Sequence, residues 1–332
     1  MRGEAMEERD QEGQDRAGSL DDELHQVVGA DEQRHVPDGD ELWNESYYLD
    51  LVADDGSLGG YVRLGFYPNL GVVWWTTAIV REGGPTIMST AYDLTAAPSP
   101  SIAAAGSGVD VTLSVLDALT SMRVEATAPG ISYEDPADAY TATGGQGVDL
   151  ALDLTWTTDG VPYHYGVTTR YEIPCVVSGT ITIDGVLFEV AGQGQRDHSW
   201  GVRDWWAFGW CWLAAQLDDG TRLHAADIRI PGMPVALGYV QRPGSVETVT
   251  TLDVTEDLGR LGMPTGGRAV IEPGGLDVAI DPVAFGPLVL VATDGRVSHF
   301  PRAMARFTTT DGRSGMGWIE WNQPQDGPTI TG

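Results

Sequence analysis

The densest chemistry in this chain lies in Gly192-Gln193-Gly194-Gln195-Arg196-Asp197-His198-Ser199-Trp200-Gly201-Val202-Arg203-Asp204-Trp205-Trp206. It sets two Arg, two Asp, one His and three Trp between glycines, and Phe208, Trp210 and Trp212 follow. Indoles favour burial, whereas Arg, Asp and His need partners when buried. The segment therefore predicts a hydrogen-bonded network inside an aromatic-lined space rather than a plain strand. Carboxyl and imidazole groups move protons, and indole faces attract cations. The same residues also fit an architectural reading. In that reading Arg196–Asp197 and Arg203–Asp204 are buried ion pairs at a domain junction, and the indoles are core.

Composition narrows the chemistry. The chain has 332 residues, with 48 acidic against 19 basic ones and a net charge of -29, and every basic residue is Arg. Without a lysine amine there is no Schiff-base or pyridoxal-phosphate catalysis and no P-loop. A dinucleotide fingerprint also fails, because the third glycine after Gly192 and Gly194 would fall at Asp197. No cofactor is expected. The negative charge argues against nucleic acid and anionic membrane as partners. Cys175 and Cys211 lie in no CxxC and read as reduced thiols. With no signal-like h-region and no apolar run of membrane-spanning length, the expected location is the cytoplasm. Oligomeric state leaves no trace in the sequence.

The elements that must position the segment read as β. Asp-Gly recurs at 55–56, 159–160, 184–185, 219–220, 294–295 and 311–312, between short runs rich in Val, Ile, Thr and aromatics. Such dipeptides suit tight hairpins. Expected strands are 61–66, 71–80, 148–155, 180–183, 186–191, 210–217, 222–230, 304–308 and 315–321. Helical periodicity is hard to find. A weak repeat relates Asp54-Asp55-Gly56 through Gly83 to Asp218-Asp219-Gly220 through Gly244, which suggests two similar β-domains. Residues 1–45 hold 15 of the acidic residues and four of the Arg. The expected organisation is a disordered acidic tail at 1–35, a β-domain at 36–172, and a second at 173–332 carrying the Arg-Asp-His-Ser-Trp motif. Ser19 to Leu24 could begin one short helix in the tail.

The motif Gly-x-Gly-x-Arg-Asp-His-Ser-Trp-Gly-x-Arg-Asp-Trp resembles the signature of bacterial proteins of the AttH and hydroxyneurosporene synthase (carotenoid 1,2-hydratase) group. Leu42-Trp43-Asn44-Glu45-Ser46-Tyr47-Tyr48, Gly59 to Gly65, Arg170-Tyr171-Glu172 and Gly315 to Trp321 fit it as well, so the resemblance covers about residues 40 to 322. It implies an all-β fold of two consecutive lipocalin-like antiparallel barrels. It also implies cofactor-independent lyase or isomerase chemistry, hydratase- or cyclase-like, on a terpenoid or other lipophilic molecule. In that chemistry Asp197 or Asp204 donates a proton, and His198 holds or deprotonates a water. Trp200, Trp205 or Trp206 faces a carbocation. Arg196 and Arg203 orient the carboxyls, although an adjacent guanidinium also lowers carboxyl proton affinity and opposes the acid role. Tyr47, Glu45, Tyr171, Glu320 and Asn322 are further pocket candidates. The alternative function is a non-catalytic carrier or sensor of a hydrophobic small molecule.

Two other sites rank lower. Glu45 and Glu320 could form a glycosidase-type carboxylate pair, but nothing in the sequence brings them together. His198, His224 and His299, with Asp197 or Asp227, could gather at a metal. No HxxxH or HExxH spacing supports that, so no metal is expected.

Overall fold

The computed structural model describes residues 27–325. The expected helix near Ser19 lies outside them. The chain forms two large antiparallel sheets with 3-10 turns between strands.

The first sheet contains β1 (Trp43–Ala53), β2 (Gly59–Tyr67), β3 (Val72–Val80), β4 (Thr86–Ala96), β5 (Ile102–Gly106) and β6 (Val109–Asp117). It continues with β7 (Ser121–Tyr133), β8 (Gln146–Thr157), β9 (Tyr163–His164), β10 (Arg170–Ile183) and β11 (Val186–Val202). The strands pair in the order β11-β1-β2-β3-β4-β5-β6-β7-β8-β10-β9, and β11 also pairs with β10, which closes the sheet on itself.

The second sheet begins with β12 (Gly209–Leu217), β13 (Arg222–Ile230), β14 (Met233–Arg242), β15 (Ser245–Thr248), β16 (Thr251–Leu258), β17 (Pro264–Glu272) and β18 (Leu276–Phe285). Then follow β19 (Leu288–Val291), β20 (Val297–Phe300), β21 (Arg302–Thr309) and β22 (Ser314–Gln325). Its order is β15-β14-β13-β12-β22-β21-β18-β17-β16, and it curls so that β16 lies against β13 and β14. In each sheet the first strand pairs with the last, β1 with β11 and β12 with β22. The weak sequence repeat falls on the hairpins β2-β3 and β13-β14, with the turns that precede them.

Turn chemistry explains much of this layout. Gly56, Gly185, Gly220, Gly295 and Gly312 all take positive φ in hairpin turns, as Asp-Gly predicts. Asp159-Gly160 departs from the pattern and lies in the loop between β8 and β9.

Period-two burial then builds three apolar layers. Leu49, Leu64, Trp75, Val124, Leu154 and Trp156 fill the first barrel. Leu213, Ala225, Val240, Ile280, Phe307 and Trp321 fill the concave side of the second sheet. A third layer welds the sheets together, through Tyr48, Tyr61, Tyr165, Trp212, Phe300 and Trp318.

Three expectations are corrected. The domain divide expected at 172/173 falls inside β10, and the first sheet runs on to Val202. The Arg-Asp-His-Ser-Trp motif therefore belongs to the first sheet. Second, residues 192–202 are a regular strand. A strand can carry this much charge and indole because its alternate residues enter two different buried environments, one on each face. A Cβ at Gly192 or Gly194 would collide with the carbonyl of Val52 or Asp50, so the glycines let β1 pass close by. Third, residues 27–35 are not a free tail. Val27 packs on the first barrel's core, Glu32 is fully buried on the 3-10 turn Gly29–Glu32, and His35 is half-buried. Composition hid this, because the buried acid has a buried partner on β11.

Candidate functional site

Strand β11 sorts the motif onto two faces. Arg196, His198 and Trp200 point into the first barrel. Gln195 and Asp197 point toward the second sheet.

Inside the barrel, Arg196 Nη1 donates to Glu32 Oε1 at 2.6 Å. The Tyr171 hydroxyl donates to the same oxygen at 2.6 Å and lies 3.3 Å from His198 Nδ1. His198 Nε2 is 3.0 Å from Glu45 Oε1, and His35 Nδ1 is 2.7 Å from that oxygen. The His35 backbone N–H also donates to Glu45. Tyr47 stacks on His198 at 4.0 Å and Trp200 on His35 at 3.8 Å. Register accounts for the grouping, since Tyr47 pairs with His198 and Glu45 with Trp200 across β1 and β11. Burial pushes the Glu45 carboxyl up, but its contacts with His198 and His35 outweigh it and hold it below its usual range. Burial also holds His198 below the usual imidazole range, against the pull of Glu45.

Toward the second sheet, Arg170 bridges two carboxylates. Its Nη2 is 2.6 Å from Asp197 Oδ2, and its Nε donates to Glu172 Oε1 at 2.9 Å. Glu172 also accepts from Trp212 Nε1 at 3.0 Å, Tyr165 at 3.1 Å and Gln195 Nε2 at 3.0 Å. His224 Nε2 meets the Tyr165 hydroxyl at 2.7 Å, and Tyr239 donates to Gln195 at 2.8 Å. Burial raises Asp197 to about 7; Arg170 opposes the rise and Glu172 adds to it. Glu172 is held below its usual range, because His224, Arg170 and its N–H donors overcome the burial that pushes it up. One guanidinium between two buried carboxylates thus leaves one of them readily protonated.

Three members of this network, Tyr165, Arg170 and Trp212, line a cavity of about 520 Å³ between the two sheets, and Asp197 and Glu172 lie behind Arg170. Trp205, Phe208, Trp210, Trp212, Ile228 and Leu237 make it apolar, and Tyr165, Arg170, Arg203 and Asp204 give it a polar side. Burial and the neighbouring Arg170 lower Arg203 to about 10. Among the described residues, Arg203 Nε and Nη2 and Trp205 Nε1 are buried donors with no hydrogen-bond partner.

The expected site residues divide accordingly. Asp197, Arg203, Asp204 and Trp205 lie in or directly behind the cavity wall. Glu45, Tyr47, Tyr171, Arg196, His198 and Trp200 lie inside the first barrel, so His198 cannot hold a water beside Asp197. The motif does not form one network inside one aromatic-lined space, because a strand sends alternate residues to opposite faces. Neither Arg pairs with its neighbouring Asp: Arg196 pairs with Glu32, and Asp204 pairs with Arg296 at 2.9 Å. Trp206 is core, donating to the Leu290 carbonyl at 3.0 Å. Glu320 pairs with Arg302 and accepts from Trp210 Nε1 at 2.9 Å, on the seam and apart from Glu45. Asn322 clamps the loop after β11, donating to the carbonyls of Trp205 and Phe208. His198, His224 and His299 do not gather; His299 stacks on Tyr140 at 4.5 Å, and Asp227 pairs with Arg229. Both cysteines are free and buried. Among the described residues, no helix is long and apolar enough to cross a membrane.

Glu32, His35, Tyr165, Gln195, Glu172 and Arg170 complete the two networks. Arg170, Glu172 and Gln195 stood in motifs; Glu32, His35 and Tyr165 carried no local signal, because only the fold brings them in.

The solved structures similar to this one share its fold at low identity. A crystal structure described as an AttH from Nitrosomonas europaea is 18% identical, with TM-score 0.63, over 90% of this chain and 97% of that one. Kievitone hydratase from Nectria haematococca is 12% identical, with TM-score 0.56, over 90% and 93%. CghA is 11% identical, with TM-score 0.56, over 89% and 94%. No curated protein matches the chain. The family described as a domain of unknown function, DUF7064, matches residues 29–325, both sheets and both networks included, and the chain belongs to that family.

Proposed function

We propose that this protein is a cofactor-independent lyase or isomerase, hydratase- or cyclase-like, acting on a terpenoid-like or other lipophilic small molecule held between the two sheets. The observation that carries the reading is the cavity wall. Its indoles and aliphatic side chains accept an apolar skeleton. The unpartnered donors of Arg203 and Trp205 suit a ligand oxygen, because buried donors without acceptors are costly. Asp197, with proton affinity near neutrality, serves as the acid behind that wall, and Arg170 sets its position. In a hydration, Asp197 passes its proton through a bridging water to one alkene carbon, a second water adds to the other carbon, and the proton that this water releases returns to Asp197. The faces of Trp205 and Trp210 stabilise the intervening cation. That kievitone hydratase shares the fold agrees with this reading.

Substitution Asp197→Asn tests it. Turnover falls about 100-fold or more, while the thermal midpoint moves little, because an amide imitates the neutral acid. A large loss of stability with unchanged turnover would sink the catalytic role. The second reading, a carrier, is favoured by the ion pairs that Asp197 and Asp204 make with Arg170 and Arg296. Titration with terpenoid libraries, followed by intrinsic Trp fluorescence and product mass, separates the two. Binding without a gain of water or rearrangement selects the carrier.

A further inference from the structure

We infer that His35, Glu45 and His198 form a binding site for one divalent transition-metal ion of the zinc class, inside the end of the first barrel. It stands independently of the cavity reading.

The geometry is close to a ligand set already. Nδ1 of His35, a carboxylate oxygen of Glu45 and Nε2 of His198 all lie within 4.8 Å of one another. Ligands about 2.0–2.2 Å from a tetrahedral ion sit ~3.4 Å apart. Closing the set therefore takes small side-chain shifts. Two imidazoles and one carboxylate with a fourth position open is a donor set that zinc accepts.

Proton counting adds a second, independent argument. The Tyr171 hydroxyl has one proton, and the short 2.6 Å contact gives it to Glu32, which accepts. Tyr171 can then only accept from His198, 3.3 Å away, so His198 carries its proton on Nδ1. A neutral His198 in that tautomer aims the lone pair of Nε2 at Glu45 Oε1, 3.0 Å distant. Two acceptors at that separation need a cation between them. A metal ion meets the need, and the chain His198–Tyr171–Glu32 is the kind of outer partner that fixes the tautomer of a metal-bound histidine.

Access and consequence follow from burial. His198 and Glu45 are buried, whereas His35 has a side-chain exposure of 24%, so the ion enters from the His35 side. Its ligands come from the segment before β1, from β1 and from β11. Binding would staple residues 27–35 across the barrel end.

The test uses the full chain, stripped with chelator and equilibrated with Zn2+ or Co2+ alone in about 0.15 M salt, which screens the acidic surface. One tightly held equivalent, with intense visible bands of tetrahedral Co2+, is expected. His35→Ala lowers affinity about 100-fold, and Tyr171→Phe lowers it about 10-fold. Absence of stoichiometric binding to the unaltered chain overturns the inference, and so does His35→Ala binding Zn2+ as tightly as the parent. If His35→Ala fails to fold, binding by the unaltered chain decides alone.

Discussion

One strand feeds two networks of different kinds. The inward face of β11 joins Arg196 and His198 to a short N-terminal segment, through paired contacts arranged almost in a line from Glu32 to His35. The outward face joins Asp197 and Gln195 to a hub, Glu172, which accepts from Arg170, Tyr165, Trp212 and Gln195. A line of pairs can lose one link and keep the rest. A hub cannot, because its acceptor serves β9–β11 and the second sheet together. That difference suits the inward network to closing the barrel end and the outward one to holding the sheets around a preorganised cavity.

The largest effect is expected at the hub. Glu172→Ala leaves four buried donors short of an acceptor, Trp212 of β12 among them. A loss approaching about 5 kcal/mol is expected by chemical denaturation. The cavity should loosen with it, read as weaker ligand-dependent Trp fluorescence. A loss near zero would show that the sheets are held by the apolar layer alone.

Removing Arg196 acts on a pair. Arg196→Met strands the Glu32 carboxylate in the barrel and should cost nearer about 3 kcal/mol. Adding Glu32→Leu removes the stranded charge, and most of the loss should return, since a buried pair replaced by apolar side chains is often neutral. A double variant no more stable than the single one would mean that Glu32 serves more than Arg196, through Tyr171.

How much of this was legible in the sequence depends on what each face asks of a residue. A strand such as 148–155 alternates buried apolar residues with more exposed ones, and it reads directly. Residues 192–202 did not read as a strand, because both faces are buried and polar, which removes the alternation that marks one. The importance of the Arg-Asp-His-Ser-Trp segment was evident from its composition. Its division was not, because opposite-facing neighbours look like one cluster in a linear string. Glu32 and His35 were hidden among acids that imitate a solvated tail. Glu172, Tyr165 and His224 converge only through the register of β9, β10 and β13.

The smallest expected effect is the most specific to the outward face. Asp197 has its folded proton affinity raised to about 7 by burial, well above that of an unfolded carboxyl. The folded state therefore holds a proton that the unfolded chain releases. The stabilisation this gives is complete below the unfolded carboxyl range and is lost as pH rises through the folded value. Unfolding free energy should fall by about 1–2 kcal/mol between about pH 5 and about pH 7 on this account. Asp197→Asn cannot release the proton, so its profile over the same interval should be flatter by that amount. Burial holds His198 and His224 below the usual imidazole range, which adds a slope of opposite sign to parent and variant alike, so the difference between the two profiles isolates Asp197. Urea denaturation at the two pH values checks both statements. An Asp197→Asn profile parallel to the parent's would place the titrating proton elsewhere in the hub and remove Asp197 as the acid behind the cavity.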